Sequence, residues 1–318
     1  MIVSGYDHGE RGAGIRDLIL VLPSVGCANS VVEMARRQVD GVRVLTHQHG
    51  CGQLGADLDV TRELLARTSA HPNLRGAIVV SLGCETNRPD ELARRARELG
   101  AAVRVVGIQE LGGASAAVDA VRRAAAELRD GEVVRRELAR GELRLGLICD
   151  QQAGERGEQL LQLLMGELAA EGIATVDGGP VALSPASPAV PTSGVSSIPE
   201  LWLAHWSRAP SARLWPAAGA SEIEALSLVA AAGAHAIVLV TGRLTTVGSP
   251  IAPTLRVCVD PDLGFPDLYD IVAAPGEAPR ALAERVIHAV AMTAAGQPTE
   301  AERSGQRDFA ILRSAPSV

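Results

Sequence analysis

Through residue 129 the chain alternates short apolar β-type runs with Ala-, Arg-, Glu- and Leu-rich segments of helical period, and this alternation limits the fold more than any other feature. The runs fall at residues 17–23, 42–46, 76–82 and 102–108, and the helical segments at 28–38, 57–69, 89–99 and 115–129. Strands separated by helices do not pair as hairpins; they line up in parallel, with helices covering both faces of the sheet. A charged stretch, 129–142, leads to a second set with strands at 143–149, 173–176, 236–241 and 254–259 and helices at 155–171, 221–232 and 279–295. The fold expected is α/β, with two Rossmann-like parallel-sheet units, the second smaller and more irregular. Residues 1–140 make the first domain, 141–298 the second and 299–318 a tail. Residues 178–219 are rich in Pro, Ser and Ala and carry Trp202, Trp206 and Trp215, the composition of an irregular loop or lid.

Composition removes several functions. A formal charge of −7 and 2% aromatic residues leave little to coat phosphates or stack on bases, so nucleic acid is not an expected partner. Every basic residue is arginine, which excludes a lysine Schiff base or lysine general base. No apolar run is long enough to span a membrane, and the first twenty residues carry Asp7, Glu10, Arg11 and Asp17 rather than a secretory signal. A cytoplasmic protein without membrane contact is expected. Its five cysteines are odd in number and widely spread, so they read as thiols, ligands or core residues rather than disulfides.

Ligands of open parallel sheets bind beyond the carboxyl ends of the strands. Cys27 follows the first strand, His47, His49 and Cys51 follow the second, and Cys84 and Glu85 follow the third. Thiolate, imidazole and carboxylate on one edge suit Fe²⁺ or Zn²⁺, whereas Mg²⁺ and Ca²⁺ prefer oxygen alone. Taken singly, each cysteine reads as core packing and the histidines as a solvated loop; three such loops together favour a metal or catalytic site. His71 precedes the third strand and suits a turn, while His235 and His288 carry no special signal. Gly112-Gly113 before a helix is either an anion cradle or a tight turn. In the second unit, Cys149-Asp150 and Thr241-Gly242-Arg243 also follow strands, and the fork of Arg243 suits a carboxylate or sulfonate.

Several motifs, in order and at compatible spacing, resemble those of the altronate/galactarate dehydratase family, which includes the large subunit of sulfolactate sulfo-lyase. They are Gly5-Tyr6, Gly14-Ile15-Arg16, the stretch from Leu22 to Asn29, His47-Gln48-His49-Gly50-Cys51-Gly52, His71-Pro72-Asn73, Leu82-Gly83-Cys84-Glu85 and Gln109 to Gly113. Farther on, the segment from Gly194 to Glu200 and Thr241-Gly242-Arg243 look like family segments. The chain departs from the pattern at Asp17, where an asparagine is usual, at Leu201 in place of a lysine, and after Cys149, where a longer Ser/Gly-rich loop is replaced by Asp150-Gln151-Gln152-Ala153-Gly154.

The resemblance implies a metal-dependent lyase that removes water, sulfite or a related β-substituent from a small hydroxy-acid, sugar acid or sulfonate- or phosphonate-like substrate. It implies metal ligands among Cys27, His47, His49, Cys51, Cys84 and Glu85, holding Fe²⁺ or, alternatively, Zn²⁺ or Mn²⁺. His49 or Glu85 would handle protons, Arg243 and Arg16 would hold anionic oxygens, and Asn29, Glu200, Thr241 and Gly242 would meet the substrate. A homo-oligomer and a small β-rich (SAF-type) subunit are the partners it implies. A non-catalytic or regulatory paralogue that keeps the metal-binding half is the rival reading.

Overall fold

Each of these strand–helix exchanges is found within two residues of its expected place in the computed structural model of the chain, which describes residues 3–9, 12–132, 134–178, 212–213, 221–263 and 265–311. The backbone divides into two units, Ser4–Glu137 with Arg307–Val318, and Met1–Val3 with Leu138–Gln306.

In the first unit β1 (Val3–Asp7) pairs antiparallel with β2 (Ala13–Gly14). Then follow β3 (Leu18–Pro23), α1 (Asn29–Gln38), β4 (Val42–Val44), α2 (Gly55–Ser69), β5 (Leu74–Ser81), α3 (Pro89–Glu98), β6 (Val103–Gly107) and α4 (Ala114–Arg129). The four strands from β3 to β6 form a parallel sheet in the order β4-β3-β5-β6. Because both faces are covered, β3 and β5 are nearly continuous apolar runs rather than alternating ones. Ile19, Val21, Ile78 and Val80 pack with Val31, Val32 and Ala35 of α1 and Ala117, Val118 and Val121 of α4. The intervening Leu20, Leu22, Ala77 and Val79 are equally buried and point to the other face, where α2 and α3 pack. Burying each leucine contributes about 1.5–3 kcal/mol. The charged stretch 129–142, expected only to connect the units, contains β7 (Arg135–Leu138), which pairs beside β1 in the order β2-β1-β7. Its arginines and glutamate hid the strand because three of its four residues are not buried.

The amino edge of the first sheet is closed by two of the motifs picked out above. Asn73 Oδ1 accepts from the Ile15 N–H at 3.0 Å, the Asn73 carbonyl accepts from Leu18 N–H at 3.0 Å, and His8 Nδ1 meets the Pro72 carbonyl at 2.6 Å. Asp17 takes Arg75 Nε at 3.0 Å and Nη2 at 2.8 Å, and His8 Nε2 at 3.0 Å. Burial alone would raise the Asp17 pKa, but the bonds from His8 and Arg75 outweigh it and hold the carboxyl well below the usual range. An asparagine could not accept such a bidentate fork, which accounts for aspartate at this position.

The second unit contains β8 (Arg144–Cys149), α5 (Gly154–Ala170), β9 (Ala174–Asp177), β10 (Ala212–Arg213), α6 (Glu222–Ala231), β11 (Ala236–Thr241), β12 (Thr254–Cys258), β13 (Ile271–Val272), α7 (Pro279–Ala294) and α8 (Glu300–Arg303). All neighbours are parallel, in the order β10-β9-β8-β11-β12-β13. The unit expected to be the smaller thus has the wider sheet. Its extra strands β10 and β13 are two residues long, too short for any periodicity to register. Helix α5 packs on α7, and α6 lies on β8 and β11. Residues 299–318, expected as a tail, begin with α8, which Thr299 and Glu302 cap reciprocally. Apart from Gly178 and β10, the Pro/Ser-rich segment 178–219 and its three tryptophans lie outside the described residues. Among those residues no helix is long and apolar enough to cross a membrane.

A methyl group at Gly14 would stand 2.2 Å from the Pro72 carbonyl oxygen, so Gly14→Ala must push the two motifs at the amino edge apart. The expected cost is about 1–3 kcal/mol, read as a lower urea midpoint for the first unit. An unchanged midpoint would show that this edge is loose.

Candidate functional site

Parallel strands bring the loops after β3, β4 and β5 to one edge, and Ser24 ties two of them together. Its N–H donates to the Val80 carbonyl at 2.9 Å, its hydroxyl donates to Glu85 Oε1 at 2.6 Å, and its carbonyl accepts from Asn87 Nδ2 at 3.0 Å. The loop after β4 lies against both neighbours: Gly26 N–H donates to the His49 carbonyl at 2.8 Å and Asn87 N–H to the Gly50 carbonyl at 3.3 Å. Gly50 has φ +95°, and a Cβ there would stand 2.5 Å from the Ser24 carbonyl oxygen, so only glycine fits. Asn29 spans the backbone of His47, donating to its carbonyl at 2.8 Å and accepting from its N–H at 3.4 Å.

His47 is buried, with Nε2 donating to the Pro23 carbonyl at 2.8 Å and Nδ1 accepting from the His49 N–H at 3.1 Å. Both nitrogens are committed and the ring is fixed in its neutral Nε2–H form. Burial pulls its pKa down to about 4, and nearby His49 adds to this, against the bond to Pro23. The role this geometry gives His47 is to hold the loop, with no nitrogen left for a metal. His49 is half-buried, its ring 6.1 Å from that of His47. Gln53 Oε1 accepts from Gly50 N–H at 2.9 Å, which turns its amide nitrogen toward His49 Nδ1 at 3.4 Å. With Nδ1 accepting, the neutral ring carries its proton on Nε2.

Glu85 is buried under donors from Ser24, from Gly83 N–H at 2.6 Å and from Leu82 N–H at 3.2 Å. Burial raises its pKa, but these bonds and one from its own N–H outweigh that and leave it below the usual range. An ionised carboxylate wrapped in donors is a poor proton acceptor, so Glu85 fastens its loop instead. Cys27, Cys51 and Cys84 stand exposed on the three loops, none in a disulfide. Their donor chemistry suits a transition metal, but among the described residues no group of three or more His, Cys, Asp or Glu side chains stands close enough to hold one. Arg16 is not brought to this edge. It precedes β3 at the opposite end of the sheet, where its Nη1 donates to the Ile15 carbonyl at 3.0 Å. A residue that precedes a strand of a parallel sheet reaches the amino edge, and one that follows it the carboxyl edge.

At the carboxyl edge of the second sheet, Asp150 gathers the other expected residues. Its carboxylate accepts from the Thr241 hydroxyl, from Gly242 N–H at 3.3 Å and from Ala153 N–H at 2.9 Å, and lies 3.4 Å from Arg243 Nε. Thr241 and Gly242 are thereby committed to the protein itself. Arg243 Nη2 donates to Glu222 Oε2 at 2.6 Å, a partner that carried no signal in the sequence beyond an acid in the first turn of a helix. Cys149 is buried, which with the charges of Asp150, Glu158 and Asp177 pushes its thiol up to about 12, an inert form. Glu200 lies outside the described residues.

Comparison with known proteins matches residues 5–131 to the family model "D-galactarate dehydratase/Altronate hydrolase, second domain" and residues 209–317 to "D-galactarate/Altronate dehydratase, C-terminal". The chain belongs to the D-galactarate/altronate dehydratase family. Relatives in the family include the altronate dehydratase of Bacillus subtilis (strain 168), 41% identical over 100 residues, or 28% of this chain and 20% of that protein. The altronate dehydratase of Escherichia coli (strain K12) is 33% identical over 93 residues, covering 26% and 19%. The (2R)-sulfolactate sulfo-lyase subunit beta of Chromohalobacter salexigens is 33% identical over 78 residues, covering 24% and 20%. The match thus spans about a fifth of each relative's length.

A pH dependence follows from His47. Its folded pKa of about 4 lies below the ordinary 6.5, so between those values the unfolded chain takes up a proton that the folded protein refuses. Stability of chelator-treated protein should therefore fall by up to about 3 kcal/mol as pH drops from 6.5 to 4. Denaturant midpoints across that range should show this slope in the wild type and a shallower one in His47→Gln. Equal slopes would remove His47 as the cause.

Proposed function

We propose that the carboxyl edge of the first sheet is the catalytic face of a lyase that eliminates a β-substituent from a small hydroxy-acid. The observation that carries this reading is the knitting of three loops around Ser24, which presents His49 and the exposed thiols of Cys27, Cys51 and Cys84 on one edge. The relatives named dehydratase and sulfo-lyase support it, since loss of water and loss of sulfite are the same kind of elimination.

In such a reaction the C–H bond at Cα and the C–O or C–S bond at Cβ break, a C=C bond forms, and water or sulfite leaves. The enol produced then becomes a 2-oxo acid. His49 is suited to move protons in this step: its Nδ1 exchanges the long 3.4 Å contact with Gln53 for the proton released at Cα, and the imidazolium so formed gives its Nε2 proton to the departing group. Arg243, whose guanidinium is partly exposed at the carboxyl edge of the second sheet, is suited to hold an anionic oxygen there. We also propose a divalent transition metal, Fe²⁺ first and Zn²⁺ or Mn²⁺ next, on the thiols of Cys27, Cys51 and Cys84. When bound it would polarise the substrate carboxylate, but the donors as placed do not form a site for it. The relative described as a subunit beta supports a partner subunit, which we propose to be small and β-rich.

Incubation of anaerobically purified protein with altronate, galactarate or sulfolactate should release a 2-oxo acid or sulfite from at least one. His49→Ala should then lower kcat by roughly a hundredfold or more, the usual worth of a positioned proton donor, and Cys84→Ala should lower bound metal as measured by elemental analysis. Full activity in His49→Ala would refute the assignment. Bound metal without any product would favour a regulatory protein.

A further inference from the structure

The carboxyl edge of the second sheet holds two buried carboxylates against one guanidinium. The side chains of Asp150 and Glu222 are 5% and 8% exposed, while that of Arg243 is 42% exposed. Asp150 is fully satisfied, with Ala153 and Gly242 N–H groups on one oxygen and Thr241 and Arg243 on the other. Glu222 is not. Its Oε2 accepts from Arg243 Nη2 at 2.6 Å and from the Thr245 hydroxyl at 3.1 Å, but its Oε1 is buried without a hydrogen-bond partner among the described residues. A carboxylate in that position is costly, because half of it has left water and gained nothing. The geometry resembles that of an arginine site already filled by a carboxylate.

We propose that this edge is a binding site for a carboxylate or sulfonate group, kept shut by Glu222, which occupies Arg243 until an incoming anion displaces it. The proposal rests on the reading that Arg243 meets a substrate anion and adds to it the residue that competes. Arg243 is suited to the exchange. Nη2 holds Glu222, Nε faces Asp150, and its backbone is anchored independently, since the carbonyl accepts from Tyr269 at 2.9 Å and the N–H donates to Thr241 Oγ1 at 3.1 Å. The guanidinium can thus change partner without moving the chain. Burial and the charge of Asp150 raise the Glu222 pKa against the pull of Arg243 and Thr245. Losing Arg243 to a ligand removes the chief opposing influence, so Glu222 takes a proton onto its oxygen as the anion binds.

Calorimetric titration at pH 6.5, in two buffers of different ionisation enthalpy, tests this with galactarate in one arm and inorganic sulfate in the other. The wild type should take up protons on binding. Glu222→Gln, which keeps an oxygen for Arg243 and Thr245, should bind the same probe roughly tenfold more tightly, as expected when a competing like charge is removed, and without proton uptake. Arg243→Gln should bind neither probe. Binding of sulfate as well as galactarate marks a general anion site, and binding of galactarate alone one selective for hydroxy-acids; both support the proposal. Equal or weaker binding by Glu222→Gln, unchanged proton uptake, or no binding by either protein overturns it. Since binding is read without turnover, a protein that binds in this pattern but eliminates nothing would refute the lyase reading alone. One that eliminates while Glu222→Gln behaves as wild type would refute the gate alone.

Discussion

The hydrogen bond from Ser24 to Glu85 is the contact on which the candidate site depends. It is short, buried, and joins loops that leave different strands of the first sheet. Removing one partner would strand the other without water, at a cost of about 1–3 kcal/mol or more for the charged group. The same serine offers its carbonyl to Asn87 and stands against Gly50, so the loops after β3, β4 and β5 are fixed relative to one another. Placing three exposed thiols and an imidazole on such a scaffold gives mobile chemistry a rigid support.

The two units solve the same topological problem with different charges. Each exposes its strand ends at a carboxyl edge, but the first surrounds its carboxylate, Glu85, with neutral donors, while the second sets two carboxylates around Arg243. The first arrangement gives a settled loop. The second leaves Glu222 with an unfilled oxygen and therefore a stake in whatever else binds there. The amino edge of the first sheet, by contrast, is devoted to structure: Gly14-Ile15-Arg16 and His71-Pro72-Asn73 hold each other, with Asp17 clamped by Arg75.

Much of this was legible in the sequence because parallel sheets write it plainly. Continuous apolar runs such as that of β3 and helical segments such as α4 need no tertiary information to be recognised, and strand direction then assigns Cys27, His49, Cys51 and Cys84 to one edge. What the sequence could not show was which side chains are already spent. His47 and Glu85 look like ligands by type and position, yet their atoms are committed to Pro23, Ser24 and backbone N–H groups. Arg16, expected to hold an anionic oxygen, lies before β3 and so at the amino edge, away from the three loops. Glu222 and Gln53 were missed since their partners, Arg243 and His49, are met only through the fold.

The central claim is that Cys27, Cys51 and Cys84 belong to one site on one edge. Alkylation by iodoacetamide, followed residue by residue by mass spectrometry, tests it directly, with the buried Cys149 and Cys258 as internal references. The three exposed thiols should be modified well before the buried two, and should be protected together when Fe²⁺ and galactarate are added. Protection of one thiol while the other two react unchanged would contradict it.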